Sequence, residues 1–306
     1  MRKAWSIPIA SLLFLIGGCT AATTSEEVEQ HLMFSHFFPP NHEQETVVIQ
    51  TFIEDIREQT SGAISIRSFP GGSLAAPDTQ FDAAATGAVD LGLSVHSYTP
   101  GQFPLSSIME LPFMSESGTE GSRILWQLFE EFPDLQQEYN EVVPLWLYTS
   151  EPGQLYTVGK QVKTMEDLQG MRIRSPSPEV NAWLSALGAT PVSMPMNEAY
   201  EALDRGVVDG IVGPWHTLLD YSLYEVIEYA TVGDFYMSTF YTVMSQNSWE
   251  SLSDEEQDIF VETTGEKMSL KAGQNFDKRA QEAKEASEQA NVVSMNYRKR
   301  NLRAGE

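Results

Sequence analysis

The sequence predicts an α/β fold in which two lobes face each other across a cleft. Helical and strand patterns alternate between residues 32 and 95, and the same alternation recurs between residues 164 and 212. Such alternation is typical of α/β domains with a largely parallel sheet. The chain has 306 residues, which is enough for two domains with separate cores. A junction between two such lobes is where small ligands bind.

The charge of the chain excludes several classes of partner. Acidic residues number 43 against 19 basic ones, which gives a formal net charge of −24. Phosphate backbones and anionic lipid surfaces are repelled by such a protein, so nucleic-acid binding is set aside. The chain can bind an anion only by concentrating a few of its cations in one place. Any arginine inside a cleft is therefore informative.

The N-terminus predicts export and anchoring. A charged start is followed by an apolar run that ends at Ile16 and by two glycines before Cys19. This is the pattern of a secretory signal, and the run is too short to span a bilayer comfortably. Residues 16–19 resemble a lipobox, so we expect a signal peptide at 1–18, lipidation of Cys19 and an extracytoplasmic, membrane-anchored protein. The alternative is a plain signal cleaved elsewhere, with Cys19 lost.

Two further expectations concern the region after the signal. The stretch at residues 19–30 is rich in Ala, Thr and Glu, and predicts a flexible tether. Cys19 is the only cysteine, so the chain forms no internal disulfide.

The first lobe follows from its hydrophobic spacing. Val48, Phe52 and Ile56 repeat at helical spacing, and Gly62 ends that helix. Ile64 and Ile66 alternate as in a strand. In chain order the lobe is predicted to contain a strand at 32–34, a helix at 43–60, a strand at 64–66, a helix at 78–86 and a strand at 91–95.

The second lobe is marked by helix capping signals. Thr164 and Asp167 cap a short helix that Gly170 closes, and Ser177 caps a helix whose first residue is Pro178. The remaining predicted elements are a strand at 171–174, a helix at 197–206 and a strand at 207–212.

Two short sequence repeats relate the lobes. Ile66-Arg67-Ser68 matches Ile173-Arg174-Ser175, and Gly87-Ala88-Val89-Asp90 matches Gly206-Val207-Val208-Asp209. Their common order predicts that the lobes share an architecture.

The C-terminal third predicts a long helix. Ser253 and Glu256 form a capping box, and helix-favouring residues continue to about Ala290. A helix of that length braces both lobes. The alternative is two helices broken at Gly265 or Gly273.

The predicted lobe boundaries follow from two crossings of the chain, near residues 150–153 and 235–241. They place lobe I at 31–151 plus about 239–280, and lobe II at 152–238 plus about 281–306.

Catalytic and metal-binding signatures are missing from the sequence. There is no nucleophile elbow, no zinc-protease motif, no P-loop and no dinucleotide fingerprint. The five histidines do not pair at metal-ligand spacing on one helix. We therefore predict no enzyme activity, no cofactor and no metal. An exported hydrolase using Ser73 near His36 or His96 is the alternative from another class.

Loop aromatics and one arginine mark the candidate site. In an open α/β sheet, ligands bind beyond the carboxyl ends of the strands. Arg174 and Ser175 end a predicted strand, and a surface ion pair is the alternative role of Arg174. Aromatic residues in predicted loops beyond strand ends are candidate contacts, with local packing as the alternative: Phe37, Tyr98, Phe113, Trp215 and Phe235.

A series of motifs along the mature chain resembles the DctP-type extracytoplasmic solute receptors of TRAP transporters. In chain order these are Ser35-His36-Phe37, Phe69-Pro70-Gly71-Gly72-Ser73-Leu74, Gly87 to Asp90, Leu111-Pro112-Phe113, Thr164 to Arg174, Leu187 to Val192, Glu198 to Leu203, Gly206 to Gly210 and Tyr224-Glu225-Val226.

The resemblance implies a clamshell that captures a small organic anion and delivers it to an ion-coupled TRAP membrane permease. It also implies that Arg174 clamps the ligand carboxylate, as a planar guanidinium suits. Gln154 stands where some relatives carry a second arginine, and residues 211–215 are apolar and aromatic where sialic-acid-binding members carry polar residues. We therefore expect a small monocarboxylate with an apolar or aromatic body. A lipoprotein receptor of an ABC importer is the alternative within binding proteins.

Overall fold

The computed structural model describes residues 30–297, in which eleven strands form two sheets. The predicted signal peptide, Cys19 and all but the last residue of the predicted tether lie outside the described residues. That last residue, Gln30, begins β1. Within residues 30–297, no helix combines the length and the apolar character needed to cross a membrane.

The first sheet has the order β2-β1-β3-β10-β4. Its core strands are parallel, since β1 pairs in parallel with both β2 and β3, while β10 is antiparallel to β3 and β4. The strands are β1 (Gln30–His36), β2 (Ile64–Phe69), β3 (Leu91–Val95), β4 (Val142–Thr149) and β10 (Thr239–Ser245).

The second sheet has the order β11-β9-β5-β8-β6-β7 and repeats the same scheme. Here β6 pairs in parallel with β7 and β8, and β5 is antiparallel to β8 and β9. The strands are β5 (Gly153–Thr157), β6 (Arg172–Ser175), β7 (Thr190–Ser193), β8 (Gly210–Pro214), β9 (Tyr229–Tyr236) and β11 (Val293–Asn296).

The helices cover the sheets and carry the predicted caps. Ser177 accepts a hydrogen bond from the Val180 amide, and the boxes at Thr164 and Ser253 are both formed. The α-helices are α1 (Gln50–Gln59), α2 (Gln80–Ala85), α3 (Gly118–Glu131), α4 (Pro133–Gln136), α5 (Pro178–Ala186), α6 (Ala199–Asp204), α7 (Thr217–Asp220), α8 (Gln246–Ser251), α9 (Asp254–Thr263) and α10 (Glu266–Gln289).

Two predicted elements differ from the structure. The first helix begins as a π-helix at Gln44–Ile49 before it continues as α1. The strand expected at 207–212 starts only at Gly210, because Asp209 uses its backbone and carboxylate to close the preceding turn against Arg172.

The two lobes share an architecture, as predicted. The repeat that contains Asp90 and Asp209 marks equivalent places in the two lobes, whereas the repeat that contains Arg67 and Arg174 does not. Asp90 and Asp209 occupy equivalent places, each at the start of a strand parallel to the central one. Arg67 and Arg174 do not, because Arg67 lies on β2 and Arg174 on β6, which corresponds to β1 by sheet order.

Within residues 30–297 the chain crosses between the sheets three times, and the third crossing runs through α10 to β11. The first crossing joins β4 to β5 and the second joins β9 to β10. They are tied together, since the Ser150 amide donates to the Ser238 carbonyl at 2.9 Å and the Ser238 amide donates to Ser150 Oγ at 3.0 Å.

The C-terminal helical region braces both lobes, with a break at Gly265, where φ is +63°. α10 contributes Met268, Ala272 and Phe276 to the core of the first lobe, and Ala280 and Ala283 to that of the second. The helix α10 continues through Gly273 without a break. A Cβ at Gly273 would clash with the carbonyl of Gly118, so this glycine lets α10 pack closely on α3.

Candidate functional site

Arg174 is the centre of the candidate site. It lies on β6, where the strand reaches the cleft, and its side chain is only 1% exposed. Its Nε donates to the Met194 carbonyl at 2.9 Å, Nη1 to the Val212 carbonyl at 3.1 Å and Nη2 to Tyr98 Oη at 3.4 Å. Among the described residues, no carboxylate oxygen lies within 4.0 Å of its guanidinium nitrogens.

A small cavity of about 20 Å³ opens beside Arg174, between the lobes. It is about large enough for one water molecule. Its walls come from both lobes and are mostly aromatic or apolar. Besides Arg174, the lining consists of Phe37, Phe38, Val95, Tyr98, Met196, Pro214, His216, Thr217, Tyr221, Ser238 and Phe240. Three of the predicted contacts, Phe37, Tyr98 and Arg174, therefore meet at one cavity.

Tyr98 separates this cavity from a wider outer groove. The groove measures about 270 Å³ and is lined by residues of both lobes, among them Asp78, Ser177 and Asn181. Tyr98 lines both spaces, and its hydroxyl accepts the Met196 amide at 3.0 Å across the cleft. Burial raises the pKa of the Tyr98 hydroxyl, and the nearby Arg174 charge opposes that rise.

Gln154 and Ser175 lie outside the cavity lining and are fully used in local structure. The Gln154 amide nitrogen donates to the Pro152 carbonyl and to the Asp234 carboxylate, and its oxygen accepts the amides of residues 233 and 234. Gln154 therefore fixes the irregular pairing of β5 with β9. Ser175 Oγ donates to the Ser177 carbonyl and shapes the start of α5.

The remaining three predicted contacts also lie away from the cavity. Trp215 packs against Tyr156 in the second core, with ring centroids 5.6 Å apart. Phe235 packs on Trp183 at 5.8 Å and lines a separate apolar pocket. Phe113 is 59% exposed, in the loop that follows the 3-10 helix Ser106–Glu110. Position beyond a strand does not fix the direction of a ring, so these three residues do not have to reach the cavity beside Arg174.

Several cavity residues were missed by the sequence reasoning. Phe38 is not one of these, because it adjoins Phe37 in the same predicted loop and shares its signal. Phe240 lies at the predicted second crossing and also carried a signal. His216 follows the apolar segment 211–215 that was linked to ligand choice. Tyr221 offered no sequence signal, because it lies after α7 and reaches the cavity only through the fold.

A buried network of charged groups lies beneath the cavity. His216 donates its backbone amide and its ring Nδ1 to Glu151, at 2.9 Å and 3.0 Å. Asp220 accepts Arg279 Nε at 2.8 Å, and its other oxygen lies 3.5 Å from His42 Nε2. Burial lowers the pKa of His42 well below its usual range, helped by the charges of His216, His36 and Arg279.

The atoms of His42, His216 and Asp220 lie within 4.8 Å of one another, but their protons do not suit a metal ion. The Gln44 amide donates to His42 Nδ1 at 3.1 Å, so the proton of the neutral ring is on Nε2. That nitrogen is the one that faces Asp220, and a metal ligand has to be unprotonated. Arg279 also holds the Asp220 carboxylate. The cluster fits a network of buried charged groups, in which His216 is hydrogen-bonded to Glu151 and Asp220 to Arg279.

A further buried carboxyl, that of Glu110, lies near the crossing into β10. Its Oε1 accepts the Thr239 hydroxyl at 2.9 Å, and its side chain is fully buried. Burial raises the pKa of Glu110 to about 7.

The groups needed by the hydrolase alternative are occupied. His36 contacts Glu45 Oε2 at 2.9 Å and Ser68 Oγ at 3.0 Å. His96 contacts the Tyr139 hydroxyl, and burial lowers its pKa to about 3. Both rings are enclosed in the first lobe, while Ser73 is exposed.

The two-lobed fold with a cleft site defines a class of extracytoplasmic binding protein, and the family is established by comparison. Residues 34–304 match the model of the DctP family, described as bacterial extracellular solute-binding protein, family 7. The chain belongs to this family.

Solved structures of TRAP solute-binding proteins share the fold. One from an unidentified marine microbe, specific for aromatic acid ligands and bound to metahydroxyphenylacetate, is 29% identical with a TM-score of 0.84, covering 88% of this chain and 85% of that one. One from Bordetella bronchiseptica with bound (R)- and (S)-mandelate is 30% identical with a TM-score of 0.83, covering 87% and 85%. A galacturonate-bound protein from Sulfitobacter is 20% identical with a TM-score of 0.77, covering 87% and 88%, and shows the fold alone.

The chain is thus a TRAP solute-binding receptor, and its predicted fold class is confirmed. Such receptors are periplasmic, bind small organic acids, work with membrane permeases and are not enzymes. Neither the ABC-importer alternative nor the hydrolase alternative is supported.

Proposed function

We propose that this receptor captures an aromatic monocarboxylate, with Arg174 as the anchor of the carboxylate. One observation carries the proposal: a buried guanidinium without a carboxylate partner among the described residues lies beside an aromatic cavity. A buried charge is costly unless it is paired, so an anionic ligand supplies the negative partner that Arg174 lacks among the described residues.

The hydrogen bonds of Arg174 leave room for a carboxylate. A guanidinium has five N–H bonds, and three are used by Met194, Val212 and Tyr98. One N–H remains on each terminal nitrogen. Two donors on neighbouring nitrogens match the two oxygens of a carboxylate.

The cavity walls favour an apolar ligand body. Phe37, Phe38, Tyr221 and Phe240 offer ring faces and edges, and Met196 adds a flexible apolar side chain. A sugar acid would leave several hydroxyls without partners against these rings. The relatives with aromatic acid or mandelate ligands are 29% and 30% identical, against 20% for the galacturonate-bound one, which agrees with this choice.

Ligand entry requires movement of the lobes. An aromatic acid is far larger than the cavity of about 20 Å³ beside Arg174. The first two crossings, tied at Ser150 and Ser238, form the hinge about which the lobes open. In this proposal lobe I comprises residues 31–151 plus about 239–280, and lobe II comprises residues 152–238 plus about 281–306. The strands of the first sheet fall in lobe I and those of the second sheet in lobe II, apart from the first residue of β1, which supports these boundaries.

The membrane attachment is a further part of the proposal. Lipidation of Cys19 would tether the receptor to the membrane beside its permease. Cys19→Ser is expected to leave the protein uncleaved by the lipoprotein route and to change its partition between the detergent and aqueous phases. Wild-type protein recovered unmodified in the soluble fraction would refute the anchor.

A thermal-shift screen tests the proposed substrate class. Purified mature protein is heated with single organic acids, including benzoate, mandelate, glucuronate and short aliphatic acids. A ligand that binds only the native state raises the melting temperature, so aromatic monocarboxylates are expected to give the largest shifts. Large shifts with glucuronate and none with aromatic acids would overturn the proposal.

A further inference from the structure

His216 lies at the same cleft edge as Arg174 and faces the same cavity. β6 and β8 are neighbouring parallel strands, and Arg174 is near the carboxyl end of one while His216 follows the other after a single residue. Carboxyl ends of parallel strands meet at one edge of the sheet. Both side chains line the cavity, and His216 is only 3% exposed.

The orientation of the His216 ring is fixed by its neighbours. Its Nδ1 lies 3.1 Å and 3.0 Å from the two Glu151 oxygens, and the ring stacks on Phe276 with centroids 4.3 Å apart. An ionised carboxylate only accepts, so Nδ1 carries a proton. The hydrogen bonds of the ring to other described residues all use Nδ1, which leaves Nε2 for another partner.

Two of the other polar side chains of the cavity, those of Thr217 and Tyr98, are already engaged. Thr217 Oγ1 donates to the Pro214 carbonyl at 2.6 Å. The Tyr98 hydroxyl accepts the Met196 amide and contacts Arg174. The hydroxyls of Ser238 and Tyr221 also line the cavity, and His216 Nε2 is the imidazole nitrogen there that can contact the ligand at a point other than its carboxylate.

We propose that His216 is a specificity-determining residue that selects a hydroxyl group on the body of the ligand. This inference rests on the proposed function and narrows the ligand to a hydroxyl-bearing aromatic monocarboxylate. A hydroxyl can donate to an unprotonated Nε2 or accept from a protonated one, so it fits His216 in either state. A ligand without that hydroxyl leaves Nε2 without a partner, and sites built for a hydroxyl discriminate against such ligands.

The test is a calorimetric titration with benzoate, 3-hydroxybenzoate and 4-hydroxybenzoate. The wild-type protein is expected to bind at least one hydroxybenzoate tenfold or more tightly than benzoate. His216→Phe should abolish that preference, so that benzoate and the hydroxybenzoates bind with similar affinities. The ratio of affinities reports the hydroxyl contact, because a general loss of structure weakens all three acids together.

Two further variants control for the buried Glu151 carboxylate. Glu151→Gln keeps an oxygen that accepts from His216 Nδ1 and is expected to retain the preference. The double variant His216→Phe with Glu151→Gln avoids an unpaired buried carboxylate and should lose the preference for the hydroxybenzoate. Equal wild-type binding of benzoate and both hydroxybenzoates, or a preference that survives removal of His216, overturns the inference and leaves the proposed function standing. No binding of any of the three acids overturns the proposed function itself.

Discussion

The strands β1 and β6 are held by the same backbone contacts in the two lobes and differ in the charge of one buried side chain. In the first lobe the Met33 amide donates to Asp90 Oδ2 at 2.7 Å, and in the second the Arg172 amide donates to Asp209 Oδ2 at 2.8 Å. Each aspartate amide in turn donates to the carbonyl of the same residue. Two residues further along the strand, the first lobe has Ser35 and the second has Arg174, both buried.

The difference shows where fold and function separate within one repeated unit. The aspartates hold the backbone, so both lobes keep them. The position two residues on faces the cleft in the second lobe, and only there does it carry a cation. The lobes are alike in architecture, and the proposed anion site belongs to one of them.

The largest expected effect is the loss of affinity on removing Arg174. Without its partner, a ligand carboxylate in the closed cleft is left unpaired, a cost of roughly 2–5 kcal/mol. Arg174→Ala should therefore weaken binding of the best acid from the screen by about 30-fold to several thousand-fold. Arg174→Lys should recover only part, because an ammonium lacks the planar fork.

Arg67 provides the matched control for this prediction. It is exposed on β2 and lies over the Phe69 ring at 4.8 Å. Arg67→Ala should leave affinity almost unchanged. If Arg174→Ala binds within about threefold of wild type in a calorimetric titration, the two lobes do not differ in the way described.

The second prediction concerns a buried charge in the first lobe. The folded protein raises the pKa of Glu110 from 4.5 to about 7, because the site is buried. The folded state therefore holds this proton more tightly than the unfolded chain does. The contribution of Glu110 to the free energy of unfolding is complete below about pH 4.5 and decreases by about 3 kcal/mol as the pH rises through about 7.

Glu110→Gln keeps the shape of the side chain and removes the titration. Urea unfolding of wild type and variant at several pH values between 4.5 and 8 measures the difference. The wild-type stability relative to the variant should fall across this window. A constant difference would show that Glu110 is ionised at all these pH values in the folded protein.

The third prediction tests the equivalence of the two aspartates. Asp90→Ala and Asp209→Ala each remove a carboxylate that accepts a backbone amide, which costs about 1–3 kcal/mol of stability. The ion pair of Asp209 with Arg172 is largely exposed and adds little. Urea unfolding is expected to show a similar loss in the free energy of unfolding for both variants. A loss for only one of them would show that the two aspartates do not play equivalent roles in the two lobes.

The smallest effect is expected at Tyr98, the contact between the lobes. Tyr98→Phe leaves the Met196 amide without its acceptor, a cost of about 1 kcal/mol, or roughly fivefold in affinity. Ligand should also dissociate faster in stopped-flow experiments, because the ring no longer holds the cleft closed. Unchanged affinity and release would show that the hydroxyl does not hold the lobes together.

Local signals in the sequence predicted most elements of the fold. The caps at Thr164, Ser177 and Ser253 depend on neighbouring residues alone, and all three form. The apparent match of Arg67 with Arg174 failed because three residues cannot specify which strand of a sheet they occupy. That correspondence emerges only from strand order.

The candidate site was harder to predict than the fold. Arg174, Phe37 and Tyr98 meet at the cavity, but the directions of Trp215 and Phe235 depend on core packing. His216 and Tyr221 reach the cavity through contacts between distant segments. No spacing along the chain encodes such contacts.

The central claim is that the cleft binds an anionic, aromatic ligand through one buried cation, and its most direct test varies the ligand. Benzoate and benzamide have nearly the same shape and differ in charge. Calorimetric titration of the wild-type protein should detect benzoate and show benzamide at least about 30-fold weaker, since only the carboxylate pairs with Arg174. Equal binding of the two, or binding of neither while glucuronate binds tightly, would contradict the account.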